Sequence, residues 1–356
     1  MNLLRTNALR RGTATGMAIA LAACTSGSRL PGAVEGSLPP PPTTVAATVF
    51  TCPADQQEPA GITPASYEPG LPLPAADDLP AGSTMAAIRA SGRLRVGVSA
   101  DTLLFGSRDP QSGRIEGFDI DMLQEVAKAV FGVDDDQAYS MLDIVVIPYG
   151  QRIPALRDDR VDIVAHTMTI NCVRWQQIAF SSEYYHSGQK LLVQRTDGQP
   201  QHASLEAFAA AEATVCVPAG STNQEFIQGV QGIRFTPAAD GVDNPDDEVV
   251  APADISDCLV LLQQGKVDGI TGDDTVLAGL AAQDNSTVVV PSGEGFTDEP
   301  YGLGFNADRI DFVQFVNSVL EEMRTDGRWA EIYDRWLGST LGPQEPPVAR
   351  YGRPVP

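Results

Sequence analysis

Two patterns of hydrophobic residues alternate along the globular part of the chain: short continuous runs, and residues spaced three and four positions apart. "RLRVGVSAD" (93–101) is a short apolar run closed by polar turn residues, as in a buried strand. "GFDIDMLQEVAKAV" (117–130) has apolar residues three and four positions apart, which predicts a helix with one buried face. "MLDIVVIPYG" (141–150) predicts a second strand, "QRIPALRDD" (151–159) a short helix and "RVDIVAHTM" (160–168) a third strand.

The same alternation continues to the end of the globular part. Its last segment, "RIDFVQFVNSVLEEMRTDGRWAEIYDRWLG" (309–338), predicts two helices. Between the third strand and this last segment lie "KLLVQR", "SLEAFAAA", "ATVCVPAGST", "NQEFIQGV", "GIRFTP", "DISDCLVLLQQGKVDGIT", "DDTVLAGLAAQ", "STVVVP" and "YGLGFNAD", with a Pro/Asp-rich loop at 237–253. Regular alternation of strand and helix predicts an α/β fold, with a mostly parallel sheet covered by helices on its faces.

The N-terminal residues are typical of a targeting segment. Arg5, Arg10 and Arg11 precede the apolar stretch "TATGMAIALAA", which is too short to span a bilayer. It ends in "LAAC", which resembles a bacterial lipobox. We therefore expect residues 1–23 to be a lipoprotein signal peptide and Cys24 to be lipidated, so that the protein is extracytoplasmic and anchored to the outer face of the bacterial cell membrane. An ordinary secretory signal followed by a chance cysteine is the alternative.

Proline-rich segments flank the globular part. Residues 24–82 include "GSLPPPPTTVAATVF" and "EPGLPLPAADDLPAGS", a composition that favours an extended tether over a packed core. Residues 342–356 are also rich in proline and predict a flexible tail. The apolar "TVFTCP" inside the tether contains Cys52, which is a candidate link to the globular body.

Charge and cysteine content narrow the function classes. Acidic residues outnumber basic ones 46 to 24, and a net charge of −22 argues against a nucleic-acid partner because phosphates would be repelled. With Cys24 lipidated, Cys52, Cys172, Cys216 and Cys258 remain, and an even number in an oxidising compartment predicts two disulfides. Three pairings are open at this point. Metal binding is the alternative, but no CxxC motif or close histidine pair supports it.

Several strings, in their joint order, resemble the extracellular solute-binding proteins of polar amino-acid ABC transporters, family 3. They are "LRVGVSAD", "GFDIDMLQEVAKAV", "RIPALRDDRVDIVAHTMTINCVRWQQIAFSSEYYHSGQKLLV", "VCVPAGST", "CLVLLQQGKVDGITGDD", "YGLGFNAD" and "MRTDGRWAEIYDRWLG". The resemblance covers residues 84–340. It implies a two-lobed, periplasmic-binding-protein-like fold of type II, whose lobes close on a ligand about two crossover hinge strands.

The resemblance also implies where the lobes begin and end. Lobe 1 would comprise residues 84–187 plus 300–341, and lobe 2 would comprise residues 190–298. The crossovers would lie near Ser187–Val193 and Asp298–Phe305. On this map Cys216 ends a strand of lobe 2 and Cys258 starts a neighbouring helix, so the expected disulfides are Cys216–Cys258 and Cys52–Cys172.

"TMTINCVRW" (167–175) is the candidate for one half of an amino-acid clamp. Arg174 matches the family's arginine for the α-carboxylate, and a guanidinium suits that role because it donates two parallel hydrogen bonds. Thr167 and Thr169 match neighbouring ligand-contacting positions. The alternative is that both threonines cap a turn and that Arg174 is a solvated surface residue.

The resemblance assigns the other half to lobe 2. Ser221 and Thr222 open a helix after a strand and would complete carboxylate binding, although an ordinary N-cap is compatible with the same residues. Asp273 would pair with the α-ammonium, and its neighbour Asp274 is the alternative. His166 would offer its backbone carbonyl to the ammonium, while its imidazole packs or faces water.

Arg152 is the candidate for specificity. Family members that bind glutamate and aspartate resemble this chain in having an arginine just before Ile-Pro, and a second guanidinium would pair with a side-chain carboxylate. Asparagine or glutamine remain open, because arginine also donates to an amide oxygen. Tyr149 would line the pocket. Ser99 and Thr102 would contact the ligand side chain, and the neutral Ser99 argues against a cationic ligand.

The function implied is a monomeric receptor that binds an acidic amino acid and delivers it to an ABC permease. The same closure could instead report the ligand to a membrane sensor, and sequence does not separate the two. An enzyme on this fold, such as a dehydratase, is a third class. It is disfavoured because no triad, metal spacing or isolated acid/base pair stands out, and no catalytic residue, metal or cofactor is expected.

Overall fold

The computed structural model describes residues 65–70, 72–234, 251–291 and 293–356. The expected signal peptide, Cys24, Cys52 and most of the expected tether lie outside the described residues. So does most of the Pro/Asp-rich loop at 237–253. Within the described part, no helix combines the length and the apolar composition needed to cross a bilayer.

Helices cover both lobes of the described chain, and most are short. In chain order they are α1 (Thr84–Ser91), α2 (Phe118–Phe131), α3 (Asp135–Ala138), α4 (Arg152–Arg157), α5 (Cys172–Trp175), α6 (Leu205–Ala210), α7 (Thr222–Ile227), α8 (Ile255–Gln263), α9 (Asp274–Gln283), α10 (Ile310–Asp326), α11 (Arg328–Tyr333) and α12 (Ser339–Leu341).

The strands are mostly of two to five residues, with one long exception. They are β1 (Leu94–Val98), β2 (Asp101–Thr102), β3 (Gly106–Arg108), β4 (Ile115–Glu116), β5 (Leu142–Val146), β6 (Ile163–Val164), β7 (Ala179–Phe180), β8 (Tyr185–Thr196), β9 (Gln199–Pro200), β10 (Val215–Cys216), β11 (Gly269–Asp273), β12 (Thr287–Val290), β13 (Asp298–Tyr301) and β14 (Gly304–Phe305).

Lobe 1 is built on a five-stranded sheet in the order β5-β1-β6-β14-β7. Strand β1 runs parallel to β5 and β6, whereas β14 arrives from the far end of the chain and pairs antiparallel with β6 and β7. Because β1 is buried on both faces, its residues form an almost continuous apolar run. Helices α2 and α10 bury their apolar faces in this core, and β2, β3 and β4 form a small antiparallel sheet beside it.

Lobe 2 is built on a sheet in the order β10-β11-β8-β12. Only β10 and β11 are parallel, because the long β8 enters from lobe 1 and pairs antiparallel with β11 and β12. The expectation of a mostly parallel sheet is therefore wrong for this lobe. Two apolar clusters form the core of lobe 2: one includes α8 and α9 together with Tyr149 of lobe 1, and the other includes Phe208 of α6 and Ile227 of α7.

The two crossovers form one antiparallel ribbon. The first half of β8 pairs with β13, with Gly188 opposite Asp298 and Tyr185 opposite Tyr301. The second half of β8 belongs to the lobe 2 sheet. Both connections between the lobes therefore run side by side and are hydrogen-bonded to each other.

The lobes also touch across the cleft. Gly220 of lobe 2 has φ +77°, and a Cβ there would lie 2.8 Å from Cα of Gly150 in lobe 1. The carboxylate of Asp101 in lobe 1 accepts a hydrogen bond from the N–H of Ser256, at 3.1 Å, in the first turn of α8. A Cβ on Gly279 of α9 would lie 2.7 Å from the carbonyl oxygen of Leu103. The structure is thus in a closed conformation.

The C-terminal residues differ from the predicted flexible tail, since they pack on lobe 1. Ser66 and Tyr351 form a parallel bridge, and the Tyr351 hydroxyl donates to Glu321 of α10 at 2.5 Å. The Arg353 guanidinium lies 3.6 Å from the ring centroid of Trp175. Tyr67 packs edge-on against the same ring. The described end of the expected tether and the tail therefore hold each other through buried aromatic and cation–π contacts, which proline content alone does not reveal.

One expected disulfide lies within the described residues and is confirmed. Cys216 at the end of β10 is bonded to Cys258 of α8, with a Cα–Cα distance of 5.5 Å. Cys172 is also disulfide-bonded. Its expected partner, Cys52, lies outside the described residues, so that pairing stays a prediction.

Candidate ligand-binding cleft

Arg174 of lobe 1 is buried within reach of the charges of Asp273 and Glu225 of lobe 2. Asn171 caps the short helix α5 by accepting from the Arg174 N–H at 2.8 Å, which fixes the start of the helix. Nη1 of Arg174 donates to the Thr169 carbonyl at 2.8 Å, and the residue is 5% exposed. Burial lowers the pKa of Arg174, while the negative charges of Glu225, Glu299 and Asp273 act in the opposite direction.

Most N–H groups of Arg174 make no hydrogen bond to the described residues. None of its nitrogens is among the fully buried, unpartnered atoms of that part of the chain, so these groups keep some accessible surface. A guanidinium with open donors in a buried cleft can take up a planar anion such as a carboxylate.

Arg152, by contrast, is largely occupied by main-chain oxygens. Its Nε donates to the Tyr149 carbonyl at 3.0 Å, and Nη1 donates to the carbonyls of His166 at 3.0 Å and Thr167 at 3.2 Å. Nη2 reaches the Gly220 carbonyl of lobe 2 at 3.4 Å. The side chain is 3% exposed, and burial together with the nearby charge of Arg174 lowers its pKa to about 9. Of its five N–H groups, only one, on Nη2, remains for a ligand.

Tyr149 and His166 form the wall beside Arg152. The Arg152 guanidinium lies 4.7 Å from the Tyr149 ring centroid, and the His166 ring packs edge-on against the same ring at 4.7 Å. His166 Nε2 lies 3.0 Å from the Ile147 carbonyl and therefore carries the proton. Burial and the charge of Arg152 lower the His166 pKa to about 3, so the imidazole is neutral. Its carbonyl, expected to face the ammonium, accepts from Arg152.

Asp119 holds the loop that carries these groups. One carboxylate oxygen accepts the Thr167 N–H at 3.0 Å, and the other accepts the Tyr184 hydroxyl at 2.5 Å. Thr167 has φ 39°, an unfavourable value for a β-branched residue, so the bond to Asp119 helps to maintain that conformation. Burial raises the pKa of Asp119 to about 7, although the hydrogen bonds and Arg152 favour its charged form.

On the lobe 2 side, Asp273 ends β11 and is buried. Asn223 of α7 donates to one carboxylate oxygen at 2.7 Å, and the Tyr301 hydroxyl donates to the other at 2.5 Å. Burial and the negative charge of Glu299 raise its pKa. Asp274 instead lies 3.4 Å from Lys190 Nζ and accepts from Ser187 at 2.7 Å, outside this group. The two neighbouring aspartates thus have different surroundings, and the role of Asp273 toward an α-ammonium stays a prediction.

Ser221 and Thr222 have different surroundings, although they are neighbours. Ser221 caps α7: its hydroxyl accepts from the Gln224 N–H at 3.1 Å and donates to the Pro218 carbonyl at 2.8 Å. Thr222 lies against lobe 1, with its hydroxyl oxygen 3.3 Å from that of Thr169. The N-cap interpretation therefore describes the Ser221 side chain, whereas Thr222 faces the cleft.

Glu299 belongs to this site, and sequence reasoning missed it. It lies on β13 and is fully buried, and it accepts hydrogen bonds from Thr169, Thr222 and Thr297. Thr169 is 130 residues away in sequence and Thr222 is 77 residues away. No local pattern marks a glutamate in "TDEPY" as buried, so only the folded chain identifies it.

Ser99 and Thr102 are buried but bonded to each other. Their hydroxyl oxygens lie 2.9 Å apart, and Ser99 donates to Asp101 at 2.8 Å. Asp101, which was not singled out in the sequence, connects these residues to Ser256 of lobe 2. The structure therefore brings Arg174, Arg152, Tyr149, Thr169, Thr222 and Asp273 into one electrostatically linked group, with Ser99 and Thr102 at the Asp101 contact.

Comparison with known families decides the class of protein. Residues 94–339 match the sequence profile of the bacterial extracellular solute-binding proteins, family 3. The chain belongs to this family.

Relatives of this family 3 solute-binding protein cover both of its lobes. The ABC transporter glutamine-binding protein GlnH of Bacillus subtilis is 31% identical over 254 residues, which are 71% of this chain and 84% of GlnH. The glutamate-binding protein GluB of Corynebacterium efficiens is 28% identical over 299 residues, which are 83% of this chain and 94% of GluB. A solved structure of an ancestral arginine-binding protein bound to glutamine superposes with a TM-score of 0.58 at 30% identity, covering 69% of this chain and 98% of that one. The two-lobed type II fold is thus shared by this chain.

Proposed function

We propose that this solute-binding protein is an extracytoplasmic receptor for a free amino acid whose side chain ends in a carboxylate or a carboxamide. It would deliver that amino acid to an ABC permease. The observation that carries the proposal is Arg174, whose open N–H groups lie in a buried cleft together with the carboxylate of Asp273. An amino-acid zwitterion needs both charges, because each of its ends loses water on entering a closed cleft.

In this proposal Arg174 binds the α-carboxylate through parallel hydrogen bonds. Asp273 binds the α-ammonium, supported by the hydroxyls of Thr169 and Thr222. The ligand would then bridge the cleft and be held by both lobes at once. Since a ligand shifts a conformational equilibrium only by its different affinity for the two states, bridging the cleft favours the closed form.

The ligand side chain would meet Arg152 and Tyr149. Because Arg152 has one N–H group left to donate, on Nη2, it suits a carboxamide oxygen as well as one oxygen of a carboxylate. Both glutamate and glutamine therefore fit, and aspartate and asparagine belong to the same class. Relatives named for glutamine and for glutamate binding support this choice, and GlnH, which is named as part of an ABC transporter, supports the delivery step.

The anchor is a separate part of the proposal. A lipid on Cys24 would hold the receptor at the membrane surface near its permease. Cell fractionation of a Cys24→Ala variant tests it, since the variant is expected in the soluble extracytoplasmic fraction and the wild type with membranes. Equal distribution of the two would contradict the anchor.

Calorimetric titration of residues 25–356 with glutamate, glutamine, aspartate, asparagine, arginine, histidine and alanine tests the binding function. We expect Arg174→Ala to weaken every ligand that binds, by about 100-fold or more, because two charge-assisted hydrogen bonds are lost. We expect Arg152→Ala to weaken glutamate about tenfold more than glutamine, because the charge–charge attraction is lost only for glutamate.

Arg309→Ala is the matched control, since Arg309 forms a surface ion pair with Asp159 and is expected to bind as the wild type does. Wild-type protein that titrates with none of these amino acids would refute the proposal. Equal losses for glutamate and glutamine in Arg152→Ala would refute only the role of Arg152.

A further inference from the structure

Glu299 is a carboxylate held entirely by hydroxyl groups. Thr169 and Thr222 donate to Oε2 at 2.6 and 2.8 Å, and Thr297 donates to Oε1 at 2.6 Å. No cationic side chain of the described residues forms an ion pair with it. A buried carboxylate is usually bonded directly to a cation, whereas here Arg174 acts on Glu299 only through its charge and the direct hydrogen bonds come from hydroxyl groups of three different segments.

The bonds to Glu299 determine what Thr169 and Thr222 can still do. A hydroxyl group has one proton to donate and lone pairs with which to accept. Since Glu299 accepts the proton of each threonine, the two oxygens can act toward the cleft only as acceptors. They come from different lobes and lie 3.3 Å apart, so a single small group can meet both.

Strand β13 aligns these acceptors with Asp273. Glu299 and Tyr301 are two residues apart and therefore lie on the same face of the strand. Tyr301 donates to Asp273 at 2.5 Å, and the charge of Glu299 acts on the same carboxylate, so Asp273 is held near the acceptor of the two threonine protons. The arrangement contains acceptors only, and it matches a group that donates several protons.

Resting on the function proposed above, we propose that Glu299 is a positioning residue that fixes Thr169 and Thr222 as acceptors and so makes the cleft select ligands with an α-ammonium group. This changes the role expected for the Thr222 hydroxyl, which serves the ammonium rather than the carboxylate. Without Glu299 the two hydroxyls are free to donate, and a ligand lacking the amino group is no longer excluded.

The test compares amino acids with their des-amino analogues. L-glutamine is paired with glutaramic acid, and L-glutamate with glutaric acid, in calorimetric titrations of residues 25–356. Glu299→Met removes the acceptor at similar volume, and we expect it to reduce the preference for the amino acid over its analogue about tenfold or more, as for one charged hydrogen bond. Glu299→Gln keeps an acceptor oxygen for the threonines, and we expect its preference to stay within about threefold of the wild type.

Two results would overturn the inference. An unchanged preference in Glu299→Met means that the threonines do not depend on Glu299. An equal loss in Glu299→Met and Glu299→Gln means that the charge acts on the ligand directly. Thermal unfolding of both variants shows whether they fold. If the wild type binds none of the four ligands, it is the proposed function that fails and not this inference alone.

A second pair of variants keeps the test valid if Glu299→Met does not fold. Thr222→Val removes one acceptor, and we expect it to weaken glutamine more than glutaramic acid. Thr287→Val removes another buried threonine hydroxyl, which bonds to the Asp284 carbonyl in lobe 2 outside the cleft, and is expected to leave the preference unchanged. Equal weakening of both ligands by Thr222→Val would count against the acceptor role.

Discussion

Asp119 behaves differently from a surface carboxylate, because its charged form has lost its water. Burial raises its pKa to about 7 from the ordinary value of 3.8, even though Thr167 and Tyr184 both donate to it. The folded state therefore holds the Asp119 proton more tightly than the unfolded chain does. Its contribution to stability is fully present at low pH and is lost as the pH rises from about 4 through about 7.

Asp119→Asn removes this titration. We expect the free energy of unfolding of the wild type, relative to Asp119→Asn, to fall by up to about 4 kcal/mol between pH 4 and pH 8, which corresponds to the shift in pKa. Chemical denaturation at a series of pH values measures it. The half-buried Asp109 is a control of opposite sign, because bonds from Ser112 lower its pKa and its contribution is lost as the pH falls. A difference between wild type and Asp119→Asn that rises with pH would contradict the prediction.

At this scale the sequence identifies residues whose chemistry is unusual for their position. Arg152 and Arg174 could be chosen as candidate site residues, because a charged guanidinium is unusual at the end of a buried strand or the start of a helix. Glu299 could not be selected, because its burial depends on Thr169 and Thr222, which only the fold brings near. Likewise, the sequence gives no sign that Arg152 binds main-chain carbonyls, since these acceptors belong to every residue type.

At the scale of elements, the Cys216–Cys258 disulfide joins β10, the terminal strand in the order β10-β11-β8-β12, to the helix that meets lobe 1. Cys216 ends β10, and Cys258 lies in α8, whose first turn receives Asp101 across the cleft. The bond thus fixes α8 to its own sheet. The orientation of α8 in turn affects how the two lobes meet.

The double variant Cys216→Ala/Cys258→Ala should lower the free energy of unfolding. The bridged residues are 42 apart in sequence. Closing a loop of that length in the unfolded chain corresponds to about 4 kcal/mol. Denaturant unfolding of the variant and wild type measures the difference. A reducing agent is not an equivalent experiment, because it also opens the disulfide at Cys172. Unfolding midpoints that coincide would count against a stabilising role.

Elements long enough to show a repeating pattern of apolar residues were predictable from the sequence, and the shortest elements were not. Helix α2 and strand β1 follow the sequence pattern closely, because α2 packs its apolar face and β1 nearly its whole run into the core. Strands β2 and β7 have two residues each, too few to show any period. The strand directions in lobe 2 also escaped prediction, because they follow from the path of β8 and not from its composition.

At the scale of the whole molecule, closure depends on close backbone contact between lobes. Gly279 lies inside α9, where alanine would normally stabilise a helix. In the closed structure, however, a Cβ at this position would lie 2.7 Å from the Leu103 carbonyl oxygen of lobe 1. Helix stability and lobe closure therefore place opposite demands on this residue.

Gly279→Ala should separate the two effects. Without ligand, we expect the free energy of unfolding to stay the same or rise by about 1 kcal/mol, through helix propensity. With ligand, we expect affinity to fall about tenfold, because a backbone clash of this size costs about 1–3 kcal/mol in the closed form only. Denaturant unfolding and calorimetry measure the two quantities, and small-angle scattering should show a larger radius of gyration at saturating ligand. Unchanged affinity would mean that the lobes close without this contact.

The pairing of Ser66 with Tyr351 makes the chain suitable for circular permutation. Ser66 and Tyr351, near the two ends of the described residues, are hydrogen-bonded neighbours on lobe 1, so a short peptide can join them without crossing the cleft. New termini can then be opened at the exposed turn formed by Asp197 and Gly198, between β8 and β9 in lobe 2. A fluorophore attached at these new termini would lie on lobe 2, while the joined ends stay on lobe 1. Closure of the lobes would then change the surroundings of the fluorophore, so the permuted protein would act as an optical sensor for amino acids.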